Sequence, residues 1–190
     1  MPKLGMEPIR RRALIEATIL EVGQAGSLDV TVGQIAKRAG MSPALAHHYF
    51  GGKEQIFLAA MRQILSDFGT GVLEGLKSAR SPRERIEAVI AASFAPRNFA
   101  TETVAAWLTF YVQAQHAPDA QRLLQIYARR LNDNLVHDLS ALIDRDAAQR
   151  LAQGIGAMID GFYIRQALHR SGPAPAEAVA IIGAYIDQNL

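Results

Sequence analysis

The sequence predicts an all-α protein of nine helices. Ala, Leu, Arg, Gln and Glu dominate almost every segment, and these residues favour helix. Strand signals are missing, because no β-branched alternation runs between Asn-Gly or Asp-Gly turns. Glycines and Ser-Pro pairs divide the chain at intervals that suit helices. No repeat of 20 to 50 residues is visible, which disfavours a solenoid.

The first helix is predicted from about Glu7 to Ala25. Pro8 suits its first turn, where a missing backbone N–H costs no intrahelical hydrogen bond. Leu14 and Val22 lie on one apolar face of this helix. Gly26 suits the left-handed conformation that often ends a helix.

Two short helices follow. The second is predicted at about Val32 to Ala39, with Thr31 as its N-cap and Gln34 in the capping-box position three residues later. Gly40 supplies a turn. The third runs from about Ser42 to Phe50, because a serine N-cap followed by proline is a strong start signal.

The remaining six helices are predicted to be longer than these two. They are predicted at about Lys53 to Ala79, Ser81 to Pro96, Thr101 to Gln115, Asp119 to Ile143, Ala147 to His169 and Ala176 to Gln188. No Gly/Ser linker separates the two halves of the chain. We therefore expect an N-terminal domain of residues 1–52 and a C-terminal domain of residues 53–190, joined through the long fourth helix.

Composition excludes several classes of protein. The 190 residues contain no Cys, so disulfides, Cys-based zinc sites and thiol nucleophiles are absent. The N-terminus lacks the apolar stretch of a signal peptide, and no apolar run approaches the roughly 20 residues of a membrane span. We expect a cytoplasmic protein that makes no membrane contact.

The net charge of +2 is unevenly distributed. Residues 1–62 hold 8 Lys and Arg against 5 Asp and Glu, whereas the rest holds 12 against 13. The excess of positive charge therefore lies with the short helices, which weakly favours a polyanion as partner at that end.

The two short helices and their Gly-containing turn have the pattern of a helix-turn-helix. In such a pair the second helix enters a DNA major groove about 12 Å wide, while the first lies across the backbone. The residues expected to pack the pair are small or apolar: Ile35, Ala36, Ala39 and Leu45.

The candidate DNA contacts fall into three groups. Hydroxyls at helix N-termini and a lysine at the start of the fourth helix suit phosphate: Thr31, Ser42 and Lys53. The outer face of the third helix offers side chains to base edges and, through its tyrosine, to the sugar-phosphate strand: Pro43, Ala44, His47, His48 and Tyr49. A basic arm adds Lys3 and the run Arg10-Arg11-Arg12, since such arms often reach the backbone or minor groove.

Other interpretations of these residues stay open. A short helix pair with a Gly turn also occurs as ordinary packing in helical proteins, and a protein-binding adaptor would have no need of DNA. The basic run suits a solvated helix surface equally well. His47 and His48 do not suit a metal site, because adjacent helical positions diverge by about 100°.

Three segments carry a family resemblance: "LIEAT…AG" at 14–26, "TVGQIAKRAGMS" at 31–42 and "YFGGKEQIF" at 49–57. With their spacing they resemble the N-terminal domain of TetR-type repressors over about 45 residues. This resemblance implies operator binding by a homodimer that pairs through its last two helices. His47 departs from the family, where many members carry Tyr, so the operator sequence stays open.

Four further segments narrow the resemblance: "MPKLGMEPIRRRALIEAT", "AWLTFYVQAQHAP", "QRLLQIYARRL" and "GAMIDGFYIRQAL". They resemble a branch of the TetR family that represses glycine betaine synthesis and responds to choline. The resemblance implies choline or a related quaternary ammonium as effector, control of osmoprotectant synthesis and choline uptake genes, and no cofactor. A TetR-like repressor of another small cation or hydrophobe is the alternative.

Aromatic residues in the C-terminal half suit such an effector. Trp107, Phe110 and Tyr111 recur at i, i+3 and i+4, and a later helix carries Asp160 and Tyr163 three positions apart. Aromatic faces bind a quaternary ammonium at roughly 0.5–2 kcal/mol each, with a carboxylate to balance its charge. The same stripe also suits a plain core, and Asp160 can equally pair with Arg165 or Arg130.

The eighth predicted helix contains several small residues, and close approach of another helix would explain them: Gly154, Gly156, Ala157 and Gly161. The expected apolar dimer surface is Ile155, Met158, Ile159, Ile181, Ile182 and Tyr185. An enzyme is not predicted, because His116, His137 and His169 are scattered without ligand spacing.

Overall fold

A computed structural model describes residues 5–168 and 174–190. Lys3 lies outside these residues, and so does His169, the predicted end of the eighth helix. The described chain forms nine α-helices, which confirms the predicted fold class. They are α1 (Met6–Ala25), α2 (Val32–Arg38), α3 (Pro43–Phe50), α4 (Lys53–Ser78), α5 (Pro82–Ser93), α6 (Thr101–Ala114), α7 (Pro118–Leu139), α8 (Arg145–Leu168) and α9 (Pro175–Asp187).

The caps that the sequence predicts for α2 and α3 are present. Thr31 Oγ1 accepts from the Gln34 backbone N–H at 3.2 Å, and Gln34 Oε1 accepts from the Thr31 N–H at 2.7 Å. Ser42 Oγ accepts from the Leu45 N–H at 3.2 Å. Gly40 turns the chain between the two helices at φ +67°, a conformation that residues with a Cβ rarely adopt.

The core of this helix-turn-helix differs from the prediction at one position. Ile35 and Ala36 are fully buried, as expected, but on α3 the buried residues are Ala46 and Phe50. Leu45 is only half-buried, so the prediction that it packs the pair was wrong. The reason is the helix phase: Ala46 and Phe50 are four residues apart and share the inward face.

Two predicted helix ends were too late. Helix α5 ends at Ser93, because the next residue, Phe94, turns inward to pack on Phe99 with ring centroids 5.2 Å apart. Helix α7 ends at Leu139 rather than near Ile143. The Asp144 carboxylate accepts from the backbone N–H groups of Asp146 and Ala147, each at 3.0 Å, and thereby caps the start of α8.

Helix α4 connects the helix-turn-helix to the rest of the chain and packs on α1, α5, α6 and α7. Its length and its mean hydropathy of 1.2 over 18 residues would also suit a membrane span. The expectation that no apolar segment approaches the length of a span was therefore wrong. Six of its side chains are buried against the other helices, so we assign it as a core helix of the fold: Ile56, Phe57, Ala60, Met61, Ile64 and Val72.

The first and sixth helices approach closely. A Cβ at Gly23 in α1 would overlap the backbone carbonyl of Glu102 and lie 2.8 Å from its Cα. Arg97, in the turn before α6, adds ion pairs to Glu16 of α1 at 3.8 Å and to Asp67 of α4 at 2.9 Å. Contacts of backbone and charge therefore join the helix-turn-helix unit to the C-terminal half.

The predicted dimer surface on α8 and α9 needs correction. Ile155, Ile159 and Ile182 are fully buried in the chain's own core and are unavailable to a partner. Of the three glycines in α8, Gly154 alone meets a close neighbour, since a Cβ there would lie 2.5 Å from the Tyr185 hydroxyl of α9. A different stripe of α8 stays uncovered within the described chain: Ala157, Gly161, Ile164 and Leu168.

Candidate functional site

The outer face of α3 is open to solvent. Ser42, Pro43, Ala44, His47 and His48 are exposed, and Tyr49 is half-buried. This face lies opposite Ala46 and Phe50, which anchor α3 to the protein. The helix can therefore present its polar side to a duplex groove without any change in its own packing.

Hydrogen bonds orient the last turn of α3. His47 Nδ1 lies 3.2 Å from the Gly51 carbonyl, which only accepts, so a neutral His47 carries its proton on Nδ1. Its Nε2 is then left as an acceptor at the surface. The His48 ring packs on Tyr49 with centroids 5.4 Å apart.

The basic run on α1 is largely engaged with the protein. Arg10 Nη1 lies 3.4 Å from the Tyr49 hydroxyl, and the Arg11 guanidinium lies 4.4 Å from the centroid of the Phe50 ring. Arg12 pairs with Glu16 at 3.1 Å. Arg11 thus holds the end of α3 against α1, and Arg10 positions Tyr49.

The phosphate candidates at helix starts are exposed. Thr31 is the N-cap of α2 and Lys53 is the first residue of α4, and both face solvent. The Lys53 Nζ lies 5.4 Å from the centroid of the Phe57 ring, so its stem leans on α4 while its ammonium stays accessible. Both positions place donors where a helix N-terminus already favours an anion.

A second site lies in the C-terminal half, where α4, α6, α7, α8 and the turn before α6 meet. A small cavity of about 20 Å³ has an aromatic lining. Its walls include Phe68, Asn98, Trp107, Tyr127 and Tyr163. Trp107 and Tyr127 meet edge to face at 5.3 Å, and so do Phe68 and Tyr127. Such a cavity has room for about one water molecule.

Hydrogen bonds fix the two predicted tyrosines. The Tyr111 hydroxyl donates to Asp160 Oδ1 at 3.0 Å, and its ring meets Trp107 at 5.4 Å. The Tyr163 hydroxyl donates to the Ser93 carbonyl at 2.6 Å. Burial raises the pKa of both phenols, and the negative charge of Asp160 raises them further. Both tyrosines are therefore neutral donors whose oxygens retain free lone pairs.

Asp160 has no cationic partner among the described residues. No Lys or Arg nitrogen of that part of the chain lies within 4.0 Å of it, so the pairings with Arg165 and Arg130 are not formed. Burial raises the pKa of Asp160, and the Tyr111 hydrogen bond opposes that shift. A half-buried carboxylate among aromatic rings is an environment that favours a cation.

The structure brings together four of the five predicted ligand residues. Trp107 and Tyr163 line the small cavity, and the Tyr111–Asp160 pair abuts Trp107. Phe110 lies apart, because its ring points to another face of α6. It lines a separate cavity of about 450 Å³ between α4 and the α6–α7 turn.

Two residues of the cavity wall, Tyr127 and Phe68, were not predicted from the sequence. Tyr127 occurs once in α7 among Leu and Arg residues, and Phe68 lies on α4 without another aromatic at helical spacing. The sequence contains no signal that α4 and α7 cross beside Trp107. Such crossings follow from tertiary packing, whereas the periodicity of one helix reports only which face is buried.

Comparisons with known proteins agree with this layout. Residues 14–60, which contain the helix-turn-helix, match the family described as "Bacterial regulatory proteins, tetR family". Residues 82–190 match the family described as "BetI-type transcriptional repressor, C-terminal". The chain belongs to the TetR family.

Individual relatives cover nearly the whole TetR-family chain. The HTH-type transcriptional regulator BetI of Brucella melitensis is 58% identical over 186 residues, covering 98% of this chain and 94% of the relative. The regulator of the same name from Rhizobium meliloti is 51% identical over 191 residues, covering 100% and 94%. The chain is accordingly a TetR-type DNA-binding transcriptional repressor, and its relatives are regulators rather than enzymes.

Solved structures share the TetR fold. A TetR transcription regulator from Haloarcula marismortui superposes with a TM-score of 0.82 at 18% identity, covering 95% of this chain and 98% of the other. A transcriptional regulator from Saccharomonospora viridis, solved in complex with choline, gives a TM-score of 0.79 at 20% identity, covering 94% and 96%. At these identities the likeness is one of fold.

Proposed function

We propose that this TetR-family chain is a cytoplasmic homodimer that represses genes of glycine betaine synthesis and choline uptake. Choline, or a closely related quaternary ammonium, is the effector that relieves repression. The observation that carries the proposal is the Asp160 carboxylate, which lies among Trp107, Tyr111 and Tyr163 without a cationic partner in the described chain. The BetI name of the relatives and the choline complex of a fold neighbour support it.

The chemistry of the site suits a fixed positive charge. A quaternary ammonium has no hydrogen-bond donor on its head, so carboxylate and aromatic faces are the groups that can hold it. Binding such a head beside Asp160 removes the cost of an unpaired half-buried charge. The aromatic rings of Trp107 and Tyr163 then supply the rest of the contact.

Effector entry is expected to move α4. The 20 Å³ cavity is too small for a quaternary ammonium, but a neighbouring groove of about 400 Å³ between α4 and α7 shares Phe68 and Tyr127 with it. An effector that enters from this groove displaces Phe68, which lies on α4. At 1.5 Å per residue, Phe68 is roughly 22 Å along the same helix from Lys53 and the DNA-reading helix.

Only a difference in affinity between two arrangements of α4 can release DNA, because equal binding to both shifts no equilibrium. We expect the effector to favour the arrangement in which Phe68 has moved outward. The two helix-turn-helix domains of the dimer then lose the spacing that fits both half-sites of the operator.

The effector class is tested by isothermal calorimetry with choline and its uncharged carbon isostere, 3,3-dimethylbutan-1-ol. Because the carboxylate interacts only with the charge, we expect choline to bind at least about tenfold more tightly. Equal binding of the two compounds would contradict the cation site and favour a TetR-like repressor of a small hydrophobe. Choline should also lower operator affinity in a gel shift, whereas the isostere should not.

The DNA interface that we propose consists of the exposed face of α3 and the helix starts beside it. His47, His48, Pro43 and Ala44 face the bases, Tyr49 reaches the sugar-phosphate strand with Arg10 behind it, and Thr31, Ser42 and Lys53 meet phosphates. Lys3 belongs to the same proposal as part of a basic arm. The palindromic operator follows from the two-fold axis of a dimer.

Replacing Lys53 by alanine is expected to weaken binding to all DNA sequences alike. One lost phosphate contact should reduce the slope of log affinity against log salt by about one. Fluorescence anisotropy with operator DNA and an unrelated duplex, over a salt titration, measures this slope. Lys77→Ala is the matched control, because Lys77 is exposed at the opposite end of the same helix. A slope unchanged by Lys53→Ala would remove Lys53 from the phosphate contacts.

We propose that the dimer forms through the uncovered stripe of α8 together with α9. Ala157, Gly161, Ile164 and Leu168 recur at helical spacing on one face of α8, and Ile181 of α9 is 42% exposed. Small residues at this face would allow a second α8 to approach closely.

The proposed domain division follows the same functions. Residues 1–52 form the DNA-binding domain and residues 53–190 the effector-binding and dimerisation domain, with α4 as the link between them.

A further inference from the structure

Trp107 has an unused hydrogen-bond donor. Its side chain is 2% exposed, and the indole N–H has no partner in hydrogen-bond geometry among the described residues. Indole is a donor only, and a buried Trp N–H usually finds an acceptor. In a chain whose other buried side chains are largely satisfied, this donor points to a ligand.

The neighbouring polar groups do not satisfy it. Tyr163 donates its hydroxyl to the Ser93 carbonyl, and the Asn98 amide nitrogen donates to the Ala92 carbonyl at 2.8 Å, but the oxygens of these two groups do not reach hydrogen-bond geometry with the indole. Burial raises the pKa of Tyr111, and the indole N–H of Trp107 opposes that shift, so the phenol oxygen lies near the indole but outside hydrogen-bond geometry. The Trp107 N–H is therefore left available to an acceptor on a molecule in the cavity.

The cavity itself supports this assignment. Trp107 and Asn98 line the same small space, and Tyr111, which donates to Asp160, packs on the indole. A cation held beside Asp160 would lie near the Trp107 indole, within reach of its N–H through a short substituent. A substituent oxygen there would take the place of the one water molecule for which the cavity has room.

We propose that the indole N–H of Trp107 is a specificity determinant that donates to a neutral oxygen on the effector, so that an ammonium lacking this acceptor binds more weakly. The inference rests on the proposed function, because it concerns the same site. It adds a requirement that the carboxylate and the aromatic faces do not impose. Those groups bind the charged ammonium, whereas Trp107 recognises the neutral oxygen at the other end of the molecule.

The test compares choline with n-propyltrimethylammonium, which replaces the hydroxyl by a methyl group and keeps the charge. Calorimetry is run with the wild-type dimer and with Trp107→Phe, which keeps an aromatic face but has no N–H. We expect the wild type to prefer choline by about tenfold, the value of one hydrogen bond. Trp107→Phe should bind both compounds within about twofold of each other, as a double-mutant cycle requires.

A second measurement needs no mutation. Trp107 is the single tryptophan of the chain, so its indole N–H gives one signal in a ¹⁵N-correlated NMR spectrum. Choline should shift this signal downfield and slow its exchange with solvent, whereas n-propyltrimethylammonium should not. This readout applies even if the substituted protein folds poorly.

The outcomes separate the two proposals. Equal binding of both compounds by the wild type, or a choline preference that survives in Trp107→Phe, would overturn the role of Trp107 and leave the cation site standing. An indole signal that responds alike to both compounds would do the same. If the wild type binds neither compound, the proposed effector fails, and the inference fails with it.

Discussion

Asp160→Asn is expected to abolish most of the response to choline. The substitution keeps the shape of the side chain but removes the negative charge beside Trp107 and Tyr111. Losing one partner of a partly buried charge pair costs about 2–3 kcal/mol, or roughly 30- to 150-fold in Kd. Calorimetry measures the Kd, and a gel shift with increasing choline measures the loss of operator release.

The same residue predicts a pH dependence. Burial raises the pKa of Asp160, so the carboxylate takes up a proton at a higher pH than an exposed aspartate does. A cation favours the ionised form, and choline affinity should therefore fall as the pH is lowered through this raised pKa. Asp160→Asn has no such group, so its weak residual binding should not vary with pH over that window.

The stability of the ligand-free protein should change in the opposite sense. A carboxyl whose pKa is raised by folding makes its full contribution to the free energy of unfolding at low pH and loses it as the pH rises through the folded pKa. At neutral pH the Asn variant should consequently melt no lower than the wild type. A loss of binding without a loss of stability separates charge from misfolding.

Asp133→Asn is the matched control, because Asp133 is an exposed carboxylate on α7 outside the site. It should leave choline affinity and its pH dependence unchanged. If Asp160→Asn binds choline as the wild type does, the carboxylate is a structural partner of Tyr111 and the cation site must be abandoned.

Gly23→Ala is expected to destabilise the fold, although alanine is normally the better helix former by about 1 kcal/mol. The added Cβ would overlap the Glu102 carbonyl, and backbone cannot rotate away as a side chain can. Forced separation of α1 and α6 should lower the free energy of unfolding by about 2–3 kcal/mol. For a chain of this size that corresponds to a fall in Tm of roughly 4–12 °C.

Thermal unfolding followed by circular dichroism, at one fixed protein concentration, measures the effect. Gly69→Ala is the control, since Gly69 lies inside α4 and a Cβ there would meet nothing within 4 Å. It should be neutral or slightly stabilising. If Gly23→Ala and Gly69→Ala have the same Tm, then separating α1 from α6 costs little free energy, and this contact does not join the two halves of the chain.

Much of the fold and of the DNA-reading surface was predictable because its signals are local. The Thr31–Gln34 capping box, the Ser42-Pro43 start and the Gly40 turn depend only on neighbours within four residues, and the structure contains all three. The exposure of His47 and His48 follows from the phase of one short helix. Leu45 was misassigned because seven or eight residues define that phase poorly.

The effector site was predictable only in part, because its residues come from four helices and a turn. Spacing along α6 and α8 identified Trp107, Tyr111, Asp160 and Tyr163, yet it also included Phe110, which lies one position from Tyr111 and faces another cavity. Which of two adjacent aromatics faces the site depends on how α6 is rotated against α7 and α8. That rotation is set by the packing of the whole core.

By itself, the sequence determined the nine helices, the caps of α2 and α3 and the chemistry offered at the outer face of α3, since each depends on local propensity and hydrogen bonding. Only the tertiary structure decided that Tyr127 and Phe68 complete the aromatic cavity, that Asp160 has no cationic partner in the described chain, and that Ile155 and Ile159 belong to the core. These outcomes depend on where helices distant in sequence cross, and close packing allows few arrangements of large side chains there.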